Sequence, residues 1–380
     1  RRMNIAYVLT EDISFHGKSG ASAHVRNVVE QLEGRGHSVQ FVSRVSRGKQ
    51  EAQPSSRDTT SSSLRSVLST LSPQLLKTAV KDWNTRWQNR RFISGHAEIL
   101  QDSDVIYERD AYQSFGTQAV GADSGTPWVI ECNGLFWDEQ SPFSNPVLPD
   151  RYRRRHVQKW AAADHLIVVS QSFKDHVVRE GIDPAKITVI HNGVDLEPHR
   201  NVSQDEIEAF QTEWGIENEM TVGFLGHMLP WHRIDLFVDA IKRLQASGYK
   251  VNGLCVGGGR WKQYKQYARE NGLEEEVVFT GPVSPEKVPT TVAAMDVCTA
   301  PGIYEPGSPV KLFDYGAAGR PVVAADFPSV TEIIADEETG LIFKNGSLKG
   351  FVAALKRLLD AEGFRGKLGQ QLREKIERNH

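Results

Sequence analysis

The sequence predicts an α/β protein made of two doubly wound, Rossmann-like domains. Three observations carry that prediction. Short apolar runs alternate with helical patterns from Asn4 to Ala325, as strands and crossover helices of a parallel sheet do. The series breaks at a polar, acidic stretch over 196–219 and then restarts. The chain has 380 residues, more than one ordinary core organises.

The elements follow in order. Asn4–Leu9 reads as a buried parallel strand. After a polar, glycine-containing loop, Val25, Val28, Val29 and Leu32 fall on one helical face, and Gly34 and Gly36 stop the helix. Val39–Ser43 then completes a βαβ unit. Residues 45–63 are rich in Ser, Arg and Gln and read as a mobile loop, and 64–100 as helical and basic. Val105–Tyr107, Trp128–Glu131, His165–Ser170 and Ile187–Ile190 continue the strands. The second series is Thr221–Leu225, Val251–Val256, Val277–Thr280, Asp296–Thr299 and Pro321–Ala325, with helices at Ile234–Leu244 and Trp261–Asn271. The first domain is placed at 1–195 and the second at 196–365, with 366–380 the start of a C-terminal helix that is cut short. Ligands of such sheets bind beyond the carboxyl ends of the strands, so the chemistry is sought in the loops that follow them.

Composition narrows the function. The formal net charge is -3, which argues against a nucleic-acid partner. Cys132, Cys255 and Cys298 are widely spaced in apolar runs and read as buried, reduced thiols, with no zinc spacing. The first residues break at Glu11 and Asp12 and do not read as a signal peptide, and no run approaches a membrane span. A cytoplasmic location is expected. The arginines of Arg86–Arg91 and Arg151–Arg155 read first as solvated helix faces, and otherwise as a surface for anionic acceptors or a membrane.

Six segments carry polar chemistry at strand ends. GKSGASAHVRNVVEQLEGRGHSV puts Gly20 at a helix N-terminus, where bare amides and the helix dipole suit a phosphate. YERDAYQSFG contains Arg109, and WVIECNGLFW carries Glu131 and Asn133 just after a strand. HLIVVSQSF and VIHNGVD mark the passage between domains. VGFLGHMLPWHRIDLF holds Gly226, His227, His232 and Arg233. VNGLCVGGGR is followed by VVFTGPV, with Gly281 and Val283. Its glycines do not complete a dinucleotide fingerprint, because Lys262 stands where the third glycine is needed. YEPGSPVKLFDYGAAGRPVVAADFPSVTEII is the most specific, with Glu305, Ser308, Pro309, Val310, Lys311, Leu312 and Asp314.

In this order and spacing the segments resemble the retaining glycosyltransferases of family 4, which have the GT-B fold. The resemblance runs from about residue 4 to about residue 375. It implies two Rossmann-like domains facing across a cleft, and an NDP-sugar donor, most readily a UDP-sugar. The acceptor hydroxyl would belong to a sugar, a glycan, a lipid-linked group or a small molecule. Transfer would be of the hexosyl type, would retain the anomeric configuration, and would need no cofactor and no metal. The resemblance assigns catalytic roles to Glu305, Lys311 and Asn133. Gly20, Gly226, His227, His232, Arg233, Gly281, Val283, Ser308, Pro309, Val310, Leu312 and Asp314 fall to the donor, and Arg109 and Glu131 to the acceptor side.

The departures are specific. Ser19 replaces the first glycine of the usual pair, and Asn133 stands near the place where other members carry a histidine. His227 and His232 occupy the places of the usual Arg and Lys, so Arg233 or Lys311 is expected to compensate the diphosphate charge. Asp314 replaces a glutamate, and Glu305 lies one residue further from it than the pattern has. Two other readings stand beside this one: a sugar-nucleotide 2-epimerase of similar fold, and a catalytically inactive homologue that binds nucleotide-sugars.

Overall fold

A computed structural model describes residues 2–17, 20–45, 73–138 and 146–379. Most of the polar loop expected over 45–63, and the start of the helical stretch expected over 64–100, lie outside them. The chain divides into two compact units: residues 1–168 with 174–189, and residues 169–173 with 190–380.

The first unit is built on β1 (Asn4–Leu9), α1 (Gly20–Gly34), β2 (Ser38–Ser43), α2 (Pro73–Ser94) and α3 (Ala97–Gln101). It continues through β3 (Val105–Arg109), α4 (Thr117–Ser124), β4 (Trp128–Cys132), α5 (Pro149–Ala162), β5 (His165–Val168), α6 (Gln171–Arg179), whose residues 171–173 belong to the second unit, and β6 (Ile187–Val189). The six strands pair in parallel in the order β2-β1-β3-β4-β5-β6. Every residue of β1 from Ile5 to Leu9 is buried, as its unbroken apolar run requires of a strand covered on both faces.

The second unit carries α7 (Leu196–Arg200), α8 (Gln204–Trp214), β7 (Met220–Leu225), α9 (Ile234–Ala246), β8 (Val251–Val256), α10 (Trp261–Glu270) and β9 (Val277–Gly281). Then come α11 (Val288–Ala293), β10 (Val297–Ala300), α12 (Lys311–Ala317), β11 (Val322–Ala325), α13 (Pro328–Thr331), β12 (Leu341–Phe343), α14 (Leu348–Asp360) and α15 (Glu362–Asn379). Its sheet is also parallel, in the order β12-β11-β10-β7-β8-β9. One apolar cluster joins β7 and β8 to α9, α10 and α14, and a second joins the other face of the sheet to α12 and α15. Two glycines set the seat of α15. A Cβ at Gly316 would meet Ile376, and one at Gly369 would strike the Gly319 carbonyl.

The three cysteines are free and buried. Among the described residues no helix is long and apolar enough to cross a membrane.

Candidate active site

In the second unit the loops after β7, β8 and β9 are laced together at the carboxyl end of the sheet. The Gly226 amide donates to the Val256 carbonyl at 2.9 Å, Met228 to Gly258 at 2.9 Å, and Gly257 to Gly281 at 2.9 Å. The approach demands glycine. Gly257 has φ +131, and a Cβ there would collide with the Gly226 carbonyl. Gly281 has φ +70, a conformation that a side chain would strain, and it lies beside the Trp261 ring.

Helix α12 is pinned above this end by Tyr315. Its hydroxyl accepts from the Leu225 amide at 2.8 Å and donates to the Thr299 carbonyl at 3.2 Å. Tyr315, Leu312 and Phe313 are buried, which directs Lys311 inward at the first turn. The Lys311 ammonium lies 4.4 Å from the centre of the Phe224 ring, and a Cβ on Gly226 would stand 3.5 Å from its Nζ. Burial pushes its pKa down from 10.5 to about 7, and among the described residues no carboxylate pairs with it. A cation held this way, on a ring face and beside open backbone, is ready for an anion.

His232 shares the locus. Its Nδ1 donates to the His227 carbonyl, and its ring sits 5.6 Å from that of Phe224. Burial first, and then the charge of Lys311, hold it down to about 2. The ring is therefore neutral, with Nε2 left as an acceptor. His227 is exposed and lies over Gly258. Lys311 is thus the cation of this locus, with neither histidine supplying a buried charge.

The other expected donor-side residues are turned differently. Arg233, in the left-handed region at φ 52, caps α9, and its guanidinium is engaged by Asp235 at 3.0–3.1 Å. The Glu305 carboxylate accepts from Ser172 Oγ and from Ser329 Oγ, the latter at 2.7 Å. Asp314 faces α7, 3.3 Å from His199 Nε2. Ser308 Oγ is buried and, among the described residues, without a hydrogen-bond partner. The Val310 amide donates to the Ser308 carbonyl at 3.0 Å and the Leu312 amide to Pro309 at 2.9 Å, so neither amide is open to a ligand. Val310 itself is exposed, and Val283 packs on the apolar cluster beneath α12.

In the first unit, Arg109, Glu131 and Asn133 meet at the ends of β3 and β4. Glu131 accepts from Asn133 Nδ2 at 2.6 Å, Arg109 Nη1 at 2.9 Å, Tyr107 OH at 2.8 Å and His24 Nε2 at 2.7 Å. Burial alone would raise its pKa, but the hydrogen bond and charge of His24, then Arg109, outweigh it and bring the group to about 2. Arg109 also stands 3.6 Å from Glu11. Gly20 opens α1, with open space where a Cβ would be.

Sequence reading missed His24, though it stands in the His-Val pair of the first segment. It also missed a buried ion network beneath Arg109. Lys159 donates to Glu108 at 2.8 Å and to Asp110 at 2.6 Å, while His156 and Trp160 reach Asp110 at 2.7 and 2.9 Å. The available signal was Tyr152, His156, Lys159 and Trp160 at helical spacing, which form the buried face of α5. Among the described residues no cluster of three or more His, Cys, Asp or Glu is placed to hold a metal.

The family comparison decides the class. The model described as "Glycosyltransferase Family 4" matches residues 18–198, and "Glycosyl transferases group 1" matches 219–361. The chain belongs to the group 1, family 4 glycosyltransferases.

A D-inositol 3-phosphate glycosyltransferase of Mycobacteroides abscessus is 29% identical over 205 residues, covering 53% of this chain and 45% of the relative. An alpha-maltose-1-phosphate synthase of Mycolicibacterium smegmatis is 25% identical over 253 residues, 63% of each. The chain spans about half the length of the first curated relatives it matches. Among solved structures, Anabaena HepE in complex with UDP and glucose superposes with TM-score 0.72 at 16% identity, covering 100% of this chain and 95% of that one. The sucrose-phosphate synthase of Thermosynechococcus elongatus gives 0.74 at 20% identity, with the same coverage. The two parallel six-stranded sheets are those of the GT-B fold.

Proposed function

We propose that the protein moves a hexosyl group from a UDP-sugar to an acceptor hydroxyl, with retention and without a metal ion. One observation carries the reading: Lys311, buried, without a carboxylate partner among the described residues, and set against Gly226 at the end of β7. A departing diphosphate accumulates charge, and a preorganised cation in a dry site offsets it strongly. The neutral His232 leaves Lys311 as the charge of that locus. Glu305, oriented by two serine hydroxyls, and Asn133, oriented by Glu131, are the groups proposed to meet hydroxyls of the reacting sugars. Asp314 and the glycine loops would complete the donor contacts. The donor phosphate would take the acceptor proton, so no separate base is assigned. A protein of the same fold solved in complex with UDP and glucose supports the choice of donor base.

The test is transfer from UDP-, GDP-, ADP- and TDP-sugars to a panel of sugar, glycan, lipid-linked and small-molecule acceptors, with the product anomer read by NMR. Transfer from a UDP-sugar with the anomer retained, and unchanged by EDTA, is expected. An inverted product, release of a free epimer without acceptor, or loss of turnover in EDTA contradicts the proposal.

A further inference from the structure

Helix α2 has two unlike faces. The inner one is fixed to the first unit. Asn89 is buried between Arg44 and the Tyr112 carbonyl, and Ile93 is fully buried against Gly116. Asp82 accepts from Tyr112 OH at 2.6 Å and from the Val147 amide at 3.3 Å, which ties the approach to α5 alongside. The outer face is unlike an ordinary solvated one. Val80, Trp83 and Trp87 recur at helical spacing and are 47%, 65% and 50% exposed. Such large aromatic area is normally buried, and when it is exposed in a cluster it marks an interaction surface.

Arginines share the helix with these apolar groups, and the Arg91 guanidinium lies over the Trp87 ring, 5.3 Å from its centre. Arg86 and Arg90 on α2 and Arg151 on α5 crowd one another closely enough to act on each other's ionisation. Arg86 is lowered by burial and then by Arg151 and Arg90. Arg155 is lowered to about 10 by burial and then by Arg86, Arg151 and Arg90. Among the described residues no carboxylate forms an ion pair with Arg86, Arg90 or Arg151, and Asp82 is turned inward. A chain of formal net charge -3 has thus concentrated unpaired cations on the helix that exposes two tryptophans, and on the start of α5.

We propose that the outer face of α2, with the start of α5, docks on an anionic lipid bilayer. The arginines would meet lipid phosphates, and the tryptophans would sit at the headgroup level, where an amphipathic ring is best accommodated. A purely electrostatic partner would use the arginines and leave the tryptophans without a role. The inference stands on α2 and α5 alone and is independent of the donor and the reaction proposed above.

The experiment is flotation of the 380-residue chain with vesicles of phosphatidylcholine, with and without about a third phosphatidylglycerol, as salt is raised. Binding to the anionic vesicles is expected, falling with salt, with little on pure phosphatidylcholine. Arg86→Gln and Arg90→Gln should each weaken it about fivefold. Trp83→Ser with Trp87→Ser should remove the part that survives high salt. The exposed positions should leave thermal unfolding unchanged in every variant, so loss of binding reports the surface. Absence of binding to anionic vesicles overturns the proposal. So does full binding by the double tryptophan variant, which would make the face a site for anions and not for a bilayer.

Discussion

Replacing Lys311 by methionine should make the protein more stable while removing its proposed function. The buried ammonium has been brought from 10.5 to about 7 by desolvation. That gap corresponds to about 5 kcal/mol of cost for keeping the charge in place, an upper figure for a site that can relax. The sign follows from proton counts. Between about pH 7 and 10.5 the unfolded chain binds a proton at Lys311 that the folded chain does not, so wild-type stability gains with pH across that window. Below about 7 both states hold the proton and the cost is complete. Methionine keeps the length and stays neutral throughout. Urea unfolding of both proteins at about pH 6 and about pH 10 measures the difference, and titrating groups that do not sense Lys311 cancel in it. Lys311→Met should be more stable by several kcal/mol at the lower pH, with the advantage shrinking toward the higher. An advantage that does not change with pH, or a wild type more stable at pH 6, would refute the claim that Lys311 is buried without compensation.

Other consequences concern the first unit and the seat of α15. Glu131 is held at about 2 by His24 and Arg109 despite its burial, so its contribution is complete above its ordinary 4.5 and is lost as pH falls toward 2. Glu131→Gln should flatten the acid limb of the stability profile, measured by unfolding between about pH 5 and 2. Asp110→Asn leaves Lys159 and His156 without their shared carboxylate in a fully buried setting, and should cost about 3–5 kcal/mol by chemical denaturation. Gly369→Ala would drive a methyl into the Gly319 carbonyl and should destabilise by about 1–3 kcal/mol.

The architecture was largely legible because both sheets are parallel and buried. Ile5–Leu9 is an unbroken apolar run and Val251–Val256 is interrupted only by Asn252, and both strands were found at their expected places. The strand reading from sequence stopped at Ala325, short of β12 and α14. Leu341–Phe343 is three residues between charged turns, too short to show a period. The site was legible in its parts but not in its pairings. The ends of β3 and β4 are neighbours with α1 packed nearby, and that adjacency brings His24 to Glu131 across 107 positions. No local pattern encodes such a contact. Asp314 read as a donor-binding carboxylate and found His199 on α7, and Arg233 read as a phosphate cation and found Asp235 two residues on. Lys311 was visible as a charge that could compensate the diphosphate. Its burial and lack of a carboxylate partner depend on Phe224 and on the seating of α12 by Tyr315.

The most direct test of the account is a titration of UDP into the wild-type chain and into Lys311→Met, followed by thermal unfolding. UDP at about 100 times its dissociation constant should stabilise the wild type by about 2.7 kcal/mol. The variant should bind at least about tenfold more weakly, a loss of about 1.4 kcal/mol. Failure of any nucleoside diphosphate to stabilise the wild type, or an equal response from the variant, would contradict the assignment of Lys311 as the diphosphate cation of a nucleotide-sugar site.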